Sequence, residues 1–254
     1  MKGKIIEYCR QIEEEENVTI LFAIESGSRL WGFSSKDSDY DVRFVFIQPL
    51  EKYISIDAKV SEKVISRTFE GKLIDMSGFD IIKFCRLLQK SNPSVIEWLQ
   101  SDIIYYGEKP KRLMGLVFSE FSPKSLFYHY RSMCQQNYEK YILSGNLVTY
   151  KKYLYSMRGL LNAQIVQHTH TIPPIKFGDA LDTYPHLLPQ HIVRKLKEII
   201  NIKKTGEEKN IIPHHQVFDS FIEHFLQEEG NDTPQKLIAP EKINKEVKDI
   251  ILKG

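Results

Sequence analysis

The stretch IESGSRLWGFSSKDSDYDVRFVF, Ile24 to Phe46, limits what this chain can become more than any other. It follows the apolar, β-branched run Val18-Thr19-Ile20-Leu21-Phe22-Ala23-Ile24, which reads as a buried strand. It opens on a Gly-Ser turn, Gly27-Ser28. Glycine lets the backbone turn tightly and lets a ligand approach it. Ser28 suits the N-cap of a segment beginning at Arg29, and the free N–H groups of a helix start form an anion cradle. The stretch closes on Asp39-Tyr40-Asp41, which runs into Val42-Arg43-Phe44-Val45-Phe46, a second strand. Alternate residues of a strand share a face, so Asp39 and Asp41 project together, with Arg43 beside them if the strand is regular. Close carboxylates repel unless a cation stands between them. A hard divalent ion, Mg²⁺ or Mn²⁺, takes oxygen ligands and keeps waters that a phosphate can replace. An anion cradle followed by such a pair suits a nucleoside triphosphate and its metal. Arg43 either pairs with an acid or touches a phosphate, and the sequence leaves that open.

Gly-Ser, a spacer and Asp-x-Asp entering a strand resembles the nucleotidyltransferase core of the DNA polymerase β superfamily. The longer GSRLWGFSSKDSDYDVRFVFIQP resembles one branch of it, the bacterial and phage "predicted nucleotidyltransferases", some associated with RNA ligases in RNA-repair operons. KSNPSVIEWLQS, Lys90 to Ser101, is similar to the same branch. The resemblance implies an α/β (α+β) core with a mixed sheet, two metal ions held by Asp39 and Asp41, and triphosphate binding at Gly27 and Ser28. It also implies a third carboxylate on a neighbouring strand, acting as general base. Residues 61–76, SEKVISRTFEGKLIDM, read as two strands about Glu70-Gly71, the second being Lys72 to Met76 and carrying Asp75. Position and resemblance together assign the third carboxylate to Asp75. Asp80 in SGFDIIKF is the rival, expected in the first turn of the next helix with Ser77 as its cap.

Organisation follows from periodicity. Residues 3–16 have helical spacing, with Ile5, Ile6, Cys9 and Ile12 apolar. Phe79 to Gln89 reads as a buried helix, Pro93 starts another, and Asp102 to Tyr106 reads as a last edge strand. A boundary is expected near Gly107 to Pro110, giving a nucleotidyltransferase core over 1–108 and a C-terminal helical bundle over 109–254. Its expected helices are Lys111–Glu120, Pro123–Leu143, Val148–His168, Leu188–Lys204, Pro213–Glu228 and Glu241–Leu252. On the third of these, Lys151, Lys152 and Tyr155 mix bases with an aromatic ring, as phrases of the same branch do, and Lys151 and Tyr155 share a face. They are the candidates for holding the triphosphate and stacking on its base.

Composition excludes several classes. The hydrophobic share of 42% and charged share of 27% are those of a soluble globular protein. The first residues, MKGKIIEYCRQIEEEENV, are charged throughout and do not read as a signal peptide, and no apolar run reaches membrane-spanning length. A cytoplasmic protein with no membrane partner is expected. Cys9, Cys85 and Cys134 are scattered and read as reduced structural thiols. His168, His170, His214 and His215 lack zinc-site spacing and read as surface or capping residues. Neither a G-x-S-x-G elbow nor a P-loop occurs.

The expected activity is transfer of an NMP from an NTP to an acceptor hydroxyl. The acceptor expected first is an RNA end, with a protein side chain or a small molecule such as an aminoglycoside as alternatives. A non-catalytic nucleotide- or RNA-binding module of the same fold is the reading from another class. The presence of all three carboxylates argues against it, since a module that only binds has no need of them.

Overall fold

The computed structural model describes the chain except for residues 57–61, 146–147, 206–210, 229, 231–234, 236 and 254. Helix α1, Lys2–Glu16, buries Ile5, Cys9 and Ile12, the apolar stripe expected of it, and ends on Asn17 in the left-handed region at φ 49°. Five strands follow: β1 Thr19–Glu25, β2 Tyr40–Ile47, β3 Val64–Phe69, β4 Ile74–Asp80 and β5 Ile104–Gly107. They form one sheet in the order β3-β4-β2-β1-β5. β2 and β4 run parallel, and the other neighbours are antiparallel. The sheet is therefore mixed, and β5 is an edge strand as expected. Its core face gathers Ile20, Ala23, Val42, Phe44, Phe46, Ile65, Ile74 and Met76 with the buried residues of α1.

The helical pieces between the strands are α2 Gly27–Leu30, α3 Leu50–Tyr53, α4 Ile81–Gln89, α5 Pro93–Gln100 and, after β5, α6 Lys111–Glu120. Asn92 caps α5 by accepting from the Ser94 N–H, and Pro93 occupies its first turn. Lys109 closes the end of α5. Its Nζ donates to the carbonyls of Leu99, 2.8 Å, and Ser101, 2.5 Å, at the end of α5.

β4 corrects the expected boundaries. Ser77 and Gly78 look like a break, yet the strand runs through them to Asp80, and α4 begins only at Ile81. Gly78 is needed inside the strand because the Phe44 ring lies against it: a Cβ there would stand 2.2 Å from Phe44 Cε2. Ser77 is thus a strand residue, its Oγ 3.1 Å from that of Ser66. The cap of α4 is Asp80 itself, which accepts from the Ile82 N–H at 2.9 Å. Its other oxygen accepts from Gln48 Nε2 at 2.8 Å and the Tyr53 hydroxyl at 2.7 Å, and the residue is fully buried. Asp80→Ala removes a cap and takes the acceptor from the buried Gln48 amide and the half-buried Tyr53 hydroxyl. It is expected to lower stability by about 1–3 kcal/mol, read as a shift of the urea midpoint at unchanged slope.

The remaining helices are α7 Pro123–Tyr138, which continues as a π turn over Glu139–Leu143, α8 Tyr150–Thr169, α9 Phe177–Thr183, α10 Gln190–Thr205, α11 Gln216–Gln227 and α12 Pro240–Ile251. His170 ends α8 in the left-handed region at φ 54°, and His215 is the N-cap residue of α11. Helix α9 was not expected, nor was a short antiparallel pair, β6 Val148–Thr149 with β7 Ile211–Ile212, where a helix start had been read at Val148.

The chain divides into two compact units, Met1–Leu30 with Asp39–Phe121 and Leu237–Gly254, and Trp31–Ser38 with Ser122–Lys236. This division differs from one at residue 108. α6 and α12 belong with the sheet, because α12 packs on α4 and α6, buries Ile243, and pairs Lys242 with Glu120. Conversely, Trp31 to Ser38 belongs with the helices. The Arg158 guanidinium lies 4.0 Å from the centre of the Trp31 ring, and Phe33 packs edge-on against Tyr155 and Phe177. All three cysteines are buried, and burial pushes each thiol up to about 12, which leaves them structural.

Candidate active site

The site is built where β1 ends and β2 begins. Gly27 opens the single turn α2 at φ 62°, a conformation glycine alone adopts without strain. The Ser26 N–H donates to the Asp41 carbonyl at 2.8 Å, tying the turn to β2. The Asp41 carboxylate then lies directly on Gly27: a Cβ at that position would be 2.0 Å from Asp41 Oδ2. The glycine is required twice, for its φ and for the acid beside it. Ser28 is buried inside α2 and does not precede it, so it is not the N-cap read for it.

Asp41 stands opposite Asp75 in the parallel register of β2 and β4. The two acids share a cation, and that cation is Arg43. Its Nη2 lies 2.9 Å from Asp75 Oδ2 and 3.4 Å from Asp41 Oδ1. Its Nη1 donates to the carbonyls of Val42 and Asp75 at 2.9 Å and 3.1 Å. Asp39 sits one residue before β2 and is exposed, so the expected strand face does not include it. Its carbonyl accepts from Arg29 Nε at 3.1 Å, while the Arg29 guanidinium rests 3.8 Å from the centre of the Tyr40 ring. Asp80 is at the far end of β4, opposite Phe46, and serves as the cap described above.

One residue escaped the sequence reading. Glu25 ends β1 and is fully buried. Its Oε1 accepts the Asp41 N–H at 2.9 Å, and its Oε2 accepts from the Tyr105 hydroxyl. Burial, with the nearby Asp41 charge adding to it against these hydrogen bonds, raises its carboxyl to about 7. A glutamate closing an apolar strand and touching the Gly-Ser turn was the available signal.

Among the described residues no three His, Cys, Asp or Glu side chains converge as a ready metal site. The Asp41–Asp75 pair nonetheless fits a divalent cation. Its donors are hard carboxylate oxygens, and a guanidinium already bridges them. Lys151, Lys152 and Tyr155 stand on α8, in the second unit, whereas Gly27 and Ser28 are in the first. The four-residue spacing does bring Lys151 over Tyr155, with Nζ 5.9 Å from the ring centre, and Tyr155 packs edge-on to Trp31. No described helix is long and apolar enough to cross a membrane.

Comparison with known proteins identifies the family and the fold. The family described as RNA repair pathway DNA polymerase beta family (RlaP) matches residues 1–247. Protein YcgL of Bacillus subtilis (strain 168) is 37% identical over 225 residues, 88% of this chain and 84% of that protein. Protein MJ0002 of Methanocaldococcus jannaschii is 31% identical over 118 residues, 45% of this chain and 47% of that protein. The crystal structure of spectinomycin adenyltransferase AAD(9) from Enterococcus faecialis, with ATP and spectinomycin, superposes with a TM-score of 0.50 at 11% identity, covering 89% of this chain and 98% of that one. That likeness shows a shared fold, a mixed α/β sheet core followed by helices.

Proposed function

The chain belongs to the RNA repair pathway DNA polymerase beta family, a family of nucleotidyltransferases, and from that premise we propose that it transfers an NMP from an NTP to a hydroxyl at an RNA end. The observation that carries the reading is the Asp41 carboxylate seated on Gly27 and paired across the strands with Asp75. It joins the turn read as the triphosphate cradle to the acids read as metal ligands in one small constellation.

In this reading Gly27 and Ser28 hold the β- and γ-phosphates of the donor, and Asp39, Asp41 and Asp75 hold divalent metal, Mg²⁺ or Mn²⁺. When bound, such a metal supplies positive charge against the phosphates and lowers the pKa of a coordinated hydroxyl. The chain's own part is positioning. Glu25 fixes the Asp41 backbone from behind through the Asp41 N–H, with Tyr105 fixing Glu25 in turn. Asp75 accepts the proton of the acceptor hydroxyl, the oxygen attacks the α-phosphorus in line, and pyrophosphate leaves.

The test is transfer of label from each of four α-labelled NTPs, with Mg²⁺, to RNA, to bulk cell protein and to small-molecule acceptors. The Asp39→Ala/Asp41→Ala double variant runs beside it. Label on RNA that is absent with the variant supports the proposal. Label only on protein or on a small molecule moves the acceptor to that class. No label, together with metal-independent NTP binding, moves the chain to a non-catalytic module.

A further inference from the structure

The candidate site carries a cation of its own. We propose that Arg43 is a resident counter-ion of the Asp41–Asp75 pair that competes with divalent metal, so that the charge at residue 43 sets how tightly the site binds metal. The inference rests on reading Asp41 and Asp75 as metal carboxylates.

The geometry argues for competition over simple bracing. Asp41 and Asp75 are direct neighbours in register on parallel strands, which brings two like charges close together. Nη2 of Arg43 takes one oxygen from each, at 3.4 Å and 2.9 Å. An ion shared by the two acids would draw on the same two carboxylates, with the guanidinium charge close beside it. Arg43 can yield only by moving its planar fork away from the acids. It does not depend on the carboxylates alone, since Nη1 is held by the Val42 and Asp75 carbonyls at 2.9 Å and 3.1 Å. An arriving metal therefore meets a fixed positive charge that it must push aside and then tolerate nearby. At these partly exposed positions solvent screens the repulsion without abolishing it.

Mn²⁺ binding to the full chain without nucleotide, followed by electron paramagnetic resonance, tests this directly. Wild type, Arg43→Gln, Arg43→Lys and the Asp41→Asn/Arg43→Gln double variant are compared. Arg43→Gln removes the charge and is expected to bind Mn²⁺ about 10-fold tighter or more. Arg43→Lys keeps the charge and is expected to stay within about 3-fold of wild type. The double variant is expected to lose the gain. Arg43→Gln binding no tighter than wild type overturns the proposal, as does Arg43→Lys binding as tightly as Arg43→Gln.

Arg43→Gln takes the guanidinium from between the two acids, so stability is measured as well. The melting temperature in EDTA and in Mn²⁺ is the readout. A larger rise on adding Mn²⁺ than wild type shows supports the proposal, and an equal or smaller rise overturns it. NMP transfer is measured on the same samples. Wild type that transfers nothing yet shows the expected order of Mn²⁺ affinities fails the proposed function and keeps this inference. Transfer with no change in Mn²⁺ affinity does the reverse.

Discussion

Asp41→Asn is expected to lower NMP transfer by about 10²–10³-fold while the protein keeps its fold. Asparagine has the size and shape of aspartate, so it still fits against Gly27. The Asp41 backbone stays fixed, because Glu25 accepts its N–H and the Ser26 N–H donates to its carbonyl. What is lost is one negative charge at the centre of the site. Loss of a preorganised charge commonly costs 10²–10³-fold in turnover, on the order of 3–4 kcal/mol. Arg43 would retain Asp75, its nearer partner at 2.9 Å, so the strand pair should not open. Single-turnover transfer from α-labelled NTP, with the melting temperature as control, makes the measurement. Near-normal turnover would remove Asp41 from the metal site and with it the central claim of the proposed mechanism.

Gly27→Ala is expected to damage both stability and rate. A methyl group there would stand 2.0 Å from Asp41 Oδ2 and 2.8 Å from Asp41 Cγ, so the acid must move. The backbone is also at φ 62°, where an L-residue is strained. Together these should lower stability by about 1–3 kcal/mol. Transfer should fall by about 10²-fold, since displacing a catalytic carboxylate by an ångström is enough to do so. A double-mutant cycle with Asp41→Ala separates the causes. Made in the Asp41→Ala background, Gly27→Ala should cost less stability than it does alone, because the contacts with Oδ2 and Cγ are gone. Equal costs in both backgrounds would mean that the carboxylate does not oppose the methyl group.

The sheet was legible because its strands announce themselves locally. Val18 to Ile24 and Val42 to Phe46 are apolar, β-branched runs, and each lies within a residue or two of where it was read. The end of β4 was not legible. Ser77-Gly78 has the composition of a break, and its reason for being a strand is the Phe44 ring on the neighbouring chain segment, a tertiary fact. The same holds for α9 and for the β6–β7 pair, whose partner strands are far apart in sequence. Within the site, period-two alternation put Asp39, Asp41 and Arg43 on one face, of which Asp39 falls outside the strand, and position together with family resemblance assigned Asp75 to a neighbouring strand. The Asp41–Asp75 register depends on a parallel crossover that no local pattern encodes, and Glu25 looked like one more polar residue at a strand end until its buried partners were seen. Lys151 and Tyr155 do meet on α8, since helical spacing alone decides that.

The most diagnostic stretch of the chain is shared property. Gly27 to Leu30 belongs with the sheet, Trp31 to Ser38 packs with the helices, and Asp39 returns to the sheet. The last helix returns as well, so neither unit is a continuous run of sequence and no single cut yields either one whole. A lineage therefore cannot change its helical unit by a simple exchange of gene segments. Whatever replaced it would also have to accept the rings of Trp31 and Phe33, which are inherited with the Gly-Ser turn and the acids on either side of them. Change in such a protein has to come residue by residue, with the two units altering in step.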